Sequence, residues 1–182
     1  MNYGEKAALI GKNGSGKSTL IKMILGQDTN FQGELKLGTS IKIGYISQNI
    51  IFEDNEKTVL DYYLEGNNLS ETEARSKLAK YGFRQESTFK RIGKLSGGEK
   101  VRIILMKLIQ KDINFLILDE PTNHIDIDIL EEALKEYKGT VLFVSHDRFF
   151  INAIANRVLN IENYKIKSYY GNYDDFTMKN II

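Results

Sequence analysis

Eight residues near the start of the chain, Gly11-Lys12-Asn13-Gly14-Ser15-Gly16-Lys17-Ser18, follow the spacing G-x-x-x-x-G-K-S. That spacing is the phosphate-binding loop. Glycines let the backbone curl until successive N–H groups turn inward on phosphate oxygens. A helix starting at the loop's end adds the positive end of its dipole. Lys17 would reach the β- and γ-phosphates of a nucleotide, and the Ser18 hydroxyl would ligate Mg²⁺. A second group with chemical potential is Asp119-Glu120, which follows the apolar run Phe115-Leu116-Ile117-Leu118. Acids at the C-terminal end of a parallel strand sit where doubly wound sheets bind ligands. Asp119 is suited to hold Mg²⁺, directly or through water. Glu120 could polarise a water that attacks the γ-phosphate. An adjacent acid pair is weak evidence by itself, because capping and surface uses are commoner. Downstream of a phosphate loop it is strong.

The flanking residues supply the elements that such chemistry needs. The Ala8–Ile10 end of Lys6-Ala7-Ala8-Leu9-Ile10 reads as a buried strand, and residues 19–25 place apolar side chains at helical spacing before Gly26. Strand, glycine loop and helix therefore follow in the required order. Residues 34–37 and 41–46 alternate with period two around Gly38-Thr39-Ser40, which predicts a hairpin. It ends at Ser47-Gln48, in a loop. Residues 58–64 read as a short helix. Ser70 and Glu73 form a capping box ahead of Ala74, Leu78 and Tyr81, and Gly82 ends that helix. Residues 50–93 are thus helical and rich in polar groups. They carry Lys77, Lys80, Arg84, Lys90 and Arg91, with Lys94 just beyond. This run reads either as a contact for an acidic partner such as RNA or as a solvated face, and no interleaved aromatic pattern favours the former.

Leu95-Ser96-Gly97-Gly98-Glu99 opens a helix whose apolar face is Val101, Ile104, Leu105 and Leu108. The apolar strand at 115–118 has the composition of a central parallel strand. Pro121 stops it and keeps Glu120 extended. A helix over 127–137, closed by Gly139, leads to a buried strand at 140–144 that ends in Ser145-His146-Asp147. A helix over 149–156 and a hairpin of 158–161 with 166–169, turning at Asn163, complete the chain. Strands alternate with helices, so the expected class is α/β with a parallel sheet.

With 182 residues, the chain suffices for one well-cored domain. Its apolar content of 42% and charged content of 27% are those of a soluble globular protein. A net charge of +1 provides no global field for nucleic acid or membrane. The absence of cysteine excludes disulfides and thiolate zinc sites. No apolar run approaches membrane-spanning length, and no signal peptide is visible, so a cytoplasmic location is the default expectation.

Taken in order, these motifs make the chain resemble the nucleotide-binding domain of ABC ATPases over nearly its whole length. Residues 11–18 match the Walker A loop of this P-loop NTPase group. Gln48 matches the Q-loop glutamine, which touches Mg²⁺ and the attacking water. Residues 95–99 match the LSGGE signature, the most specific of the motifs. Residues 115–120 match Walker B with its catalytic glutamate, Asp126 the D-loop aspartate, and His146 the switch histidine of the γ-phosphate. The resemblance implies an ABC-type core sheet with a small antiparallel portion and a helical signature subdomain. The implied division is 1–49 and 94–182 as core and 50–93 as helical part. It implies ATP and Mg²⁺ as ligands, held by residues 11–19 with Thr19 closing the loop. It implies catalysis by Glu120, His146, Gln48 and Lys17, and Mg²⁺ held by Ser18, Gln48 and Asp119. Ser96, Gly97, Gly98, Glu99 and Asp126 would complete a nucleotide site on a facing second domain, so that ATP closes the pair and hydrolysis opens it.

A subgroup resemblance is also present. Asn123-His124-Ile125-Asp126, residues 145–150 and Tyr170-Gly171-Asn172-Tyr173 look like the ABC-F subfamily, and the signature and Gly139-Thr140 look most like its second domain. That implies action on the ribosome, as a translation factor or in protection against antibiotics, without membrane insertion. The alternative is the ATPase subunit of an ABC membrane transporter. A non-hydrolysing interaction module is disfavoured by Glu120. Relative to the family pattern, the strands upstream of Walker A and their adenine-stacking aromatic are missing, which leads us to expect a fragment. Tyr3 lies too near the loop to replace that aromatic. The sequence therefore predicts weak discrimination among ATP, GTP and CTP.

Overall fold

In the computed structural model, which describes residues 1–121 and 127–179, six strands form one sheet. The elements in chain order are β1 (Lys6–Gly11), α1 (Lys17–Ile24), β2 (Ile43–Ile46), α2 (Val59–Leu64), α3 (Glu71–Lys80), α4 (Gly97–Gln110), β3 (Phe115–Asp119), α5 (Ile127–Glu136), β4 (Thr140–Val144), α6 (Arg148–Ile154), β5 (Arg157–Glu162), β6 (Lys165–Tyr170) and α7 (Tyr173–Lys179). The strand order is β2-β3-β4-β1-β5-β6. All neighbours are parallel except the β5–β6 hairpin. None of the described helices is long and apolar enough to cross a membrane.

The sheet is apolar on both faces. Leu9, Ile117, Leu142 and Val144 pack with Ile21 of α1 on one face. Ala8, Leu116, Leu118, Val141 and Phe143 pack with α4, α5 and α6 on the other. A further cluster joins Val59, Leu60 and Tyr63 of α2, Ala74 and Leu78 of α3, Phe83 and Ile92, and Ile103 and Met106 of α4. Helix α4 thus buries two stripes. Val101 and Leu105 face the sheet, while Ile103 and Met106 face the helical cluster. Helix ends are fixed by local chemistry. Thr58 Oγ1 accepts from Asp61 N at 3.1 Å, and Ser70 and Glu73 close the expected capping box.

The expected hairpin over 34–46 is not formed. Only residues 43–46 are a strand, and they pair parallel with β3. The reason is competition for a partner. Phe115-Leu116-Ile117-Leu118 offers an apolar edge to which the chain hydrogen-bonds from Ile43 on, whereas Leu37 on the would-be first arm stays exposed. The tail also differs from expectation, because Tyr173–Lys179 is helical after Gly171 at φ 109°. Asn172 Oδ1 accepts from Asp175 N at 3.1 Å and starts that helix.

One ion pair ties the start of the chain to the hairpin. Arg157 Nη1 donates to both oxygens of Glu5, at 2.9 and 2.7 Å, and Arg157 Nε donates to Ser168 Oγ at 2.8 Å. Burial works to raise the Glu5 pKa. It is overcome by the Asn2 backbone N–H and the Arg157 guanidinium, and the net direction is down. A depressed carboxylate pKa stabilises the fold above the unfolded value, and that stabilisation is lost as pH falls through the folded value. Arg157→Ala is therefore expected to cost about 2 kcal/mol at neutral pH, since the pair is largely buried and Glu5 keeps only its Asn2 donors and loses its counter-charge. Urea denaturation at pH 7 and at pH 3 checks this. The difference from wild type should shrink in acid.

Candidate functional site

The C-terminal ends of β1, β3 and β4 deliver three groups of residues to one edge of the sheet. From β1 comes the glycine loop. Gly11 sits at φ 154°, and a Cβ there would meet Ser15 Oγ at 2.6 Å and the Ile161 carbonyl oxygen at 2.7 Å. Gly14 and Gly16 adopt φ 76° and 104°, and no atom lies within 4 Å of where a Cβ would stand on either. Their left-handed backbones curl the loop, with open space beside both residues. Lys17, 9% exposed, donates from Nζ to the carbonyls of Gly11 at 2.9 Å and Lys12 at 3.2 Å. Ser18 and Thr19, in the first turn of α1, are exposed at its N-terminus. Lys12 and Asn13 are exposed as well. Ser15 Oγ is buried without a hydrogen-bond partner.

From β3 come Asp119 and Glu120. Burial raises the Asp119 pKa, the Glu120 charge raises it further, and Lys17 opposes both. Glu120 is not extended as expected from the following proline. Its φ is 52°, a left-handed value that is uncommon for a side chain of this size. Its N–H donates to the Val144 carbonyl at 3.0 Å, which pulls the backbone across toward β4. The turn aims the carboxylate at two partners. Gln48 Nε2 lies 3.4 Å from Oε2, and His146 Nε2 lies 3.3 Å from Oε1. His146 is placed by the junction of β4 and α6. Asp147 caps α6 by accepting from Phe149 N and Phe150 N at 2.9 and 3.1 Å. Gln48 follows β2, whose last residue pairs with Leu118.

The helix N-terminus at Ser96 is built differently from a bare anion site. Ser96 Oγ accepts from Glu99 N at 3.2 Å, and Glu99 accepts from Ser96 N at 2.7 Å. Lys90 Nζ donates to both Glu99 oxygens, at 3.0 and 2.8 Å. Burial works to raise the Glu99 pKa, but Lys90 and the Ser96 N–H lower it on balance. Glu99 is therefore turned onto its own helix start rather than outward. Ser96 and Gly97 are exposed and Gly98 is buried. Gly97 and Lys100 line a cavity of about 220 Å³ together with Gln48 and Glu120. Ser96→Ala is expected to lower stability by about 1 kcal/mol through loss of the cap. Thermal unfolding checks this, and an unchanged midpoint would contradict it.

Thus the structure brings Gln48, Asp119, Glu120 and His146 to one edge beside residues 11–19, with Gly97 nearby. Asp126, with Asn123, His124 and Ile125, lies outside the described residues. Sequence reasoning missed Lys100, one turn along α4 from Gly97, and Tyr45, whose hydroxyl pKa is raised by burial and by Asp119. It placed the turn of the β5–β6 hairpin at Asn163 but missed that this turn lies beside the glycine loop. A helical cycle from Gly97 would have reached Lys100. No sequence signal pointed to the other two.

The loop fits a nucleotide triphosphate. A side chain on Gly11 would collide with Ser15 Oγ and the Ile161 carbonyl, so the tight start of the loop needs glycine, Gly14 and Gly16 have open space beside them, and Lys17 Nζ and the unpartnered Ser15 Oγ supply polar groups. Mg²⁺ fits with one carboxylate and one hydroxyl, because it keeps phosphate and water ligands. Among the described residues no group of three or more His, Cys, Asp or Glu could hold a metal by protein ligands alone.

A family model described as ABC transporter matches residues 1–123. The chain is similar to ABC transporter F family member 2 of Arabidopsis thaliana, with 41% identity over 98% of this chain and 27% of that protein. It is similar to the energy-dependent translational throttle protein EttA of Escherichia coli strain K12, with 39% identity over 95% of this chain and 33% of that protein. Among solved structures, a metal-chelate type ABC transporter in an inward-facing conformation matches with a TM-score of 0.74 and 27% identity, over 93% of this chain and 73% of that one. The chain spans about a third or less of the length of the curated relatives it matches.

Proposed function

The chain belongs to the ABC transporter family of ATPase domains, with relatives in its F branch, and from that premise we propose that it binds ATP with Mg²⁺ at residues 11–19 and hydrolyses it against a second such domain. The observation that carries this reading is Glu120, held between Gln48 and His146 beside the glycine loop. A carboxylate in that position can take the proton of a water aligned by its neighbours. Lys17 and the loop N–H groups hold the phosphates, and Ser18, Gln48 and Asp119 hold Mg²⁺. Bound there, Mg²⁺ supplies charge neutralisation on the phosphate oxygens. Ser96 and Gly97, exposed at the start of α4, are the surface offered to the nucleotide of the facing domain. ATP that binds the closed pair better than the open one shifts the pair toward closure.

The output of that closure is action on the ribosome, a translation factor or resistance role. Support comes from the F-branch relatives and from EttA, named an energy-dependent translational throttle. The second reading, a transporter ATPase, is supported by the shared fold of the metal-chelate transporter. Co-sedimentation separates the two. The chain with ATP should pellet with purified ribosomes, and more so as Glu120→Gln. Absence from the ribosome pellet under both conditions would overturn the ribosomal role.

A further inference from the structure

The sheet face under α1 carries a ring hydroxyl among hydrocarbons. Odd-numbered residues of β3 point to that face. Phe115 and Ile117 pack there with Ile21, and Asp119, the next in that series, feels the charge of Lys17 at the start of α1. Strand β2 runs parallel beside β3, with Tyr45 paired to Ile117 and Ile46 to Leu118. Ile43 and Tyr45 join the same cluster, so Tyr45 stands on the face of Asp119, two residues short of it in register. Among the described residues of this cluster, Tyr45 alone brings a polar side-chain atom. Packing on that face needs no oxygen, and desolvating a hydroxyl costs free energy unless it meets a partner. Burial and then the Asp119 charge push the Tyr45 pKa up. The hydroxyl therefore stays protonated, a donor within electrostatic reach of a carboxylate. Ser47, the next odd residue along that segment, is engaged elsewhere, because its hydroxyl donates to the Asn49 carbonyl at 2.6 Å.

We propose that Tyr45 is a positioning residue for the metal site, its hydroxyl donating, directly or through one water, to the Asp119 carboxylate oxygen turned away from Mg²⁺. The inference rests on the proposed Mg²⁺ role of Asp119. It adds the group behind that ligand. A carboxylate that meets a cation through one oxygen has a second oxygen to satisfy, and fixing the second fixes the direction of the first. The placement on β2 matters as well. Gln48, another proposed Mg²⁺ ligand, follows Tyr45 by three residues, so one segment holds Asp119 from behind and approaches the ion from the side. Tyr45 itself meets neither metal nor phosphate. Its loss should change how tightly Mg²⁺ supports nucleotide binding and leave metal-free binding as it was.

Tyr45→Phe removes the oxygen and keeps the ring. Calorimetry of ATP binding across a Mg²⁺ series, and in EDTA, tests the proposal on the intact chain. The Mg²⁺ concentration that gives half of the full gain in ATP affinity should rise about 10-fold, the lower end for a lost outer partner of a metal ligand. ATP affinity in EDTA should stay within twofold of wild type. The unfolding temperature should not fall, because the packing is kept. In an Asp119→Asn background, Tyr45→Phe should have no further effect on the Mg²⁺ series, since both act through one ligand. Equal weakening of ATP with and without Mg²⁺, together with a lower unfolding temperature, would mark a packing role and overturn the proposal. A Mg²⁺ midpoint within twofold of wild type in Tyr45→Phe, with the midpoint displaced in Asp119→Asn, would overturn the positioning role and spare the metal site. Wild-type ATP affinity indifferent to Mg²⁺ would overturn both.

Discussion

Replacing Glu120 by glutamine is expected to slow phosphate release from ATP by roughly 100- to 10,000-fold, the range attributed to a positioned general base, while ATP binding persists. Glutamine is nearly the same shape and can still meet Gln48 and His146. It cannot take a proton from water. Geometry makes the expectation specific. The carboxylate is 23% exposed, is approached by side chains from the segments that follow β2 and β4, and stands on a left-handed backbone that must be held in place. A strained residue at a strand end that contacts two polar neighbours is a functional arrangement more than a structural one. Asp119 next to it sits in a different electrostatic setting, with burial, Glu120 and Lys17 all acting on it. Asp119→Asn should therefore weaken Mg²⁺-nucleotide binding, whereas Glu120→Gln should not. Phosphate release measured with saturating ATP, beside a binding titration, distinguishes them. Wild-type turnover by Glu120→Gln would remove Glu120 from the chemistry.

Much of this arrangement was legible in the residue order because each piece has a local physical cause. Strands β3 and β4 are uninterrupted apolar runs, and such runs belong in the middle of a parallel sheet. The starts of α2, α3 and α4 are announced by Thr58, Ser70 and Ser96, whose side chains satisfy N–H groups only a few residues away. The failures share a different cause, a partner distant in sequence. Residues 34–37 alternate as well as 43–46 do, but only the latter found the edge of β3, 72 positions on. Pro121 biases Glu120 toward an extended backbone, and the Val144 carbonyl outweighs that bias. Helix α4 shows one apolar stripe to a periodicity search, because Ile103 and Met106 matter only once α2 and α3 are folded against them. The basic run at 77–94 read as a contact for an acidic partner or a solvated face, yet Lys90 and Arg91 are engaged by Glu99 and Glu56. The approach of the β5–β6 turn to the glycine loop was the least legible feature, because it is a property of strand order.

Replacing Lys17 by alanine is expected to weaken ATP and tripolyphosphate together, by roughly 10- to 100-fold, which corresponds to about 1.5–3 kcal/mol for a hydrogen bond to a charged group. The equality of the two losses is the informative part. Lys17 stands inside the glycine loop, so the base adds nothing to its effect. The ammonium already donates to the Gly11 and Lys12 carbonyls from inside the loop. It lies within reach of a phosphate held by that loop and needs no large rearrangement. Because those two carbonyls can accept from water in the variant, the fold should survive, with unfolding shifted by about 1 kcal/mol or less. Lys17→Arg is not a conservative alternative. The side chain is nearly buried, and a planar guanidinium differs in shape and donor geometry from the compact ammonium held there. It should bind as poorly as the alanine variant. Calorimetry with both ligands checks this, and wild-type ATP affinity in Lys17→Ala would contradict it.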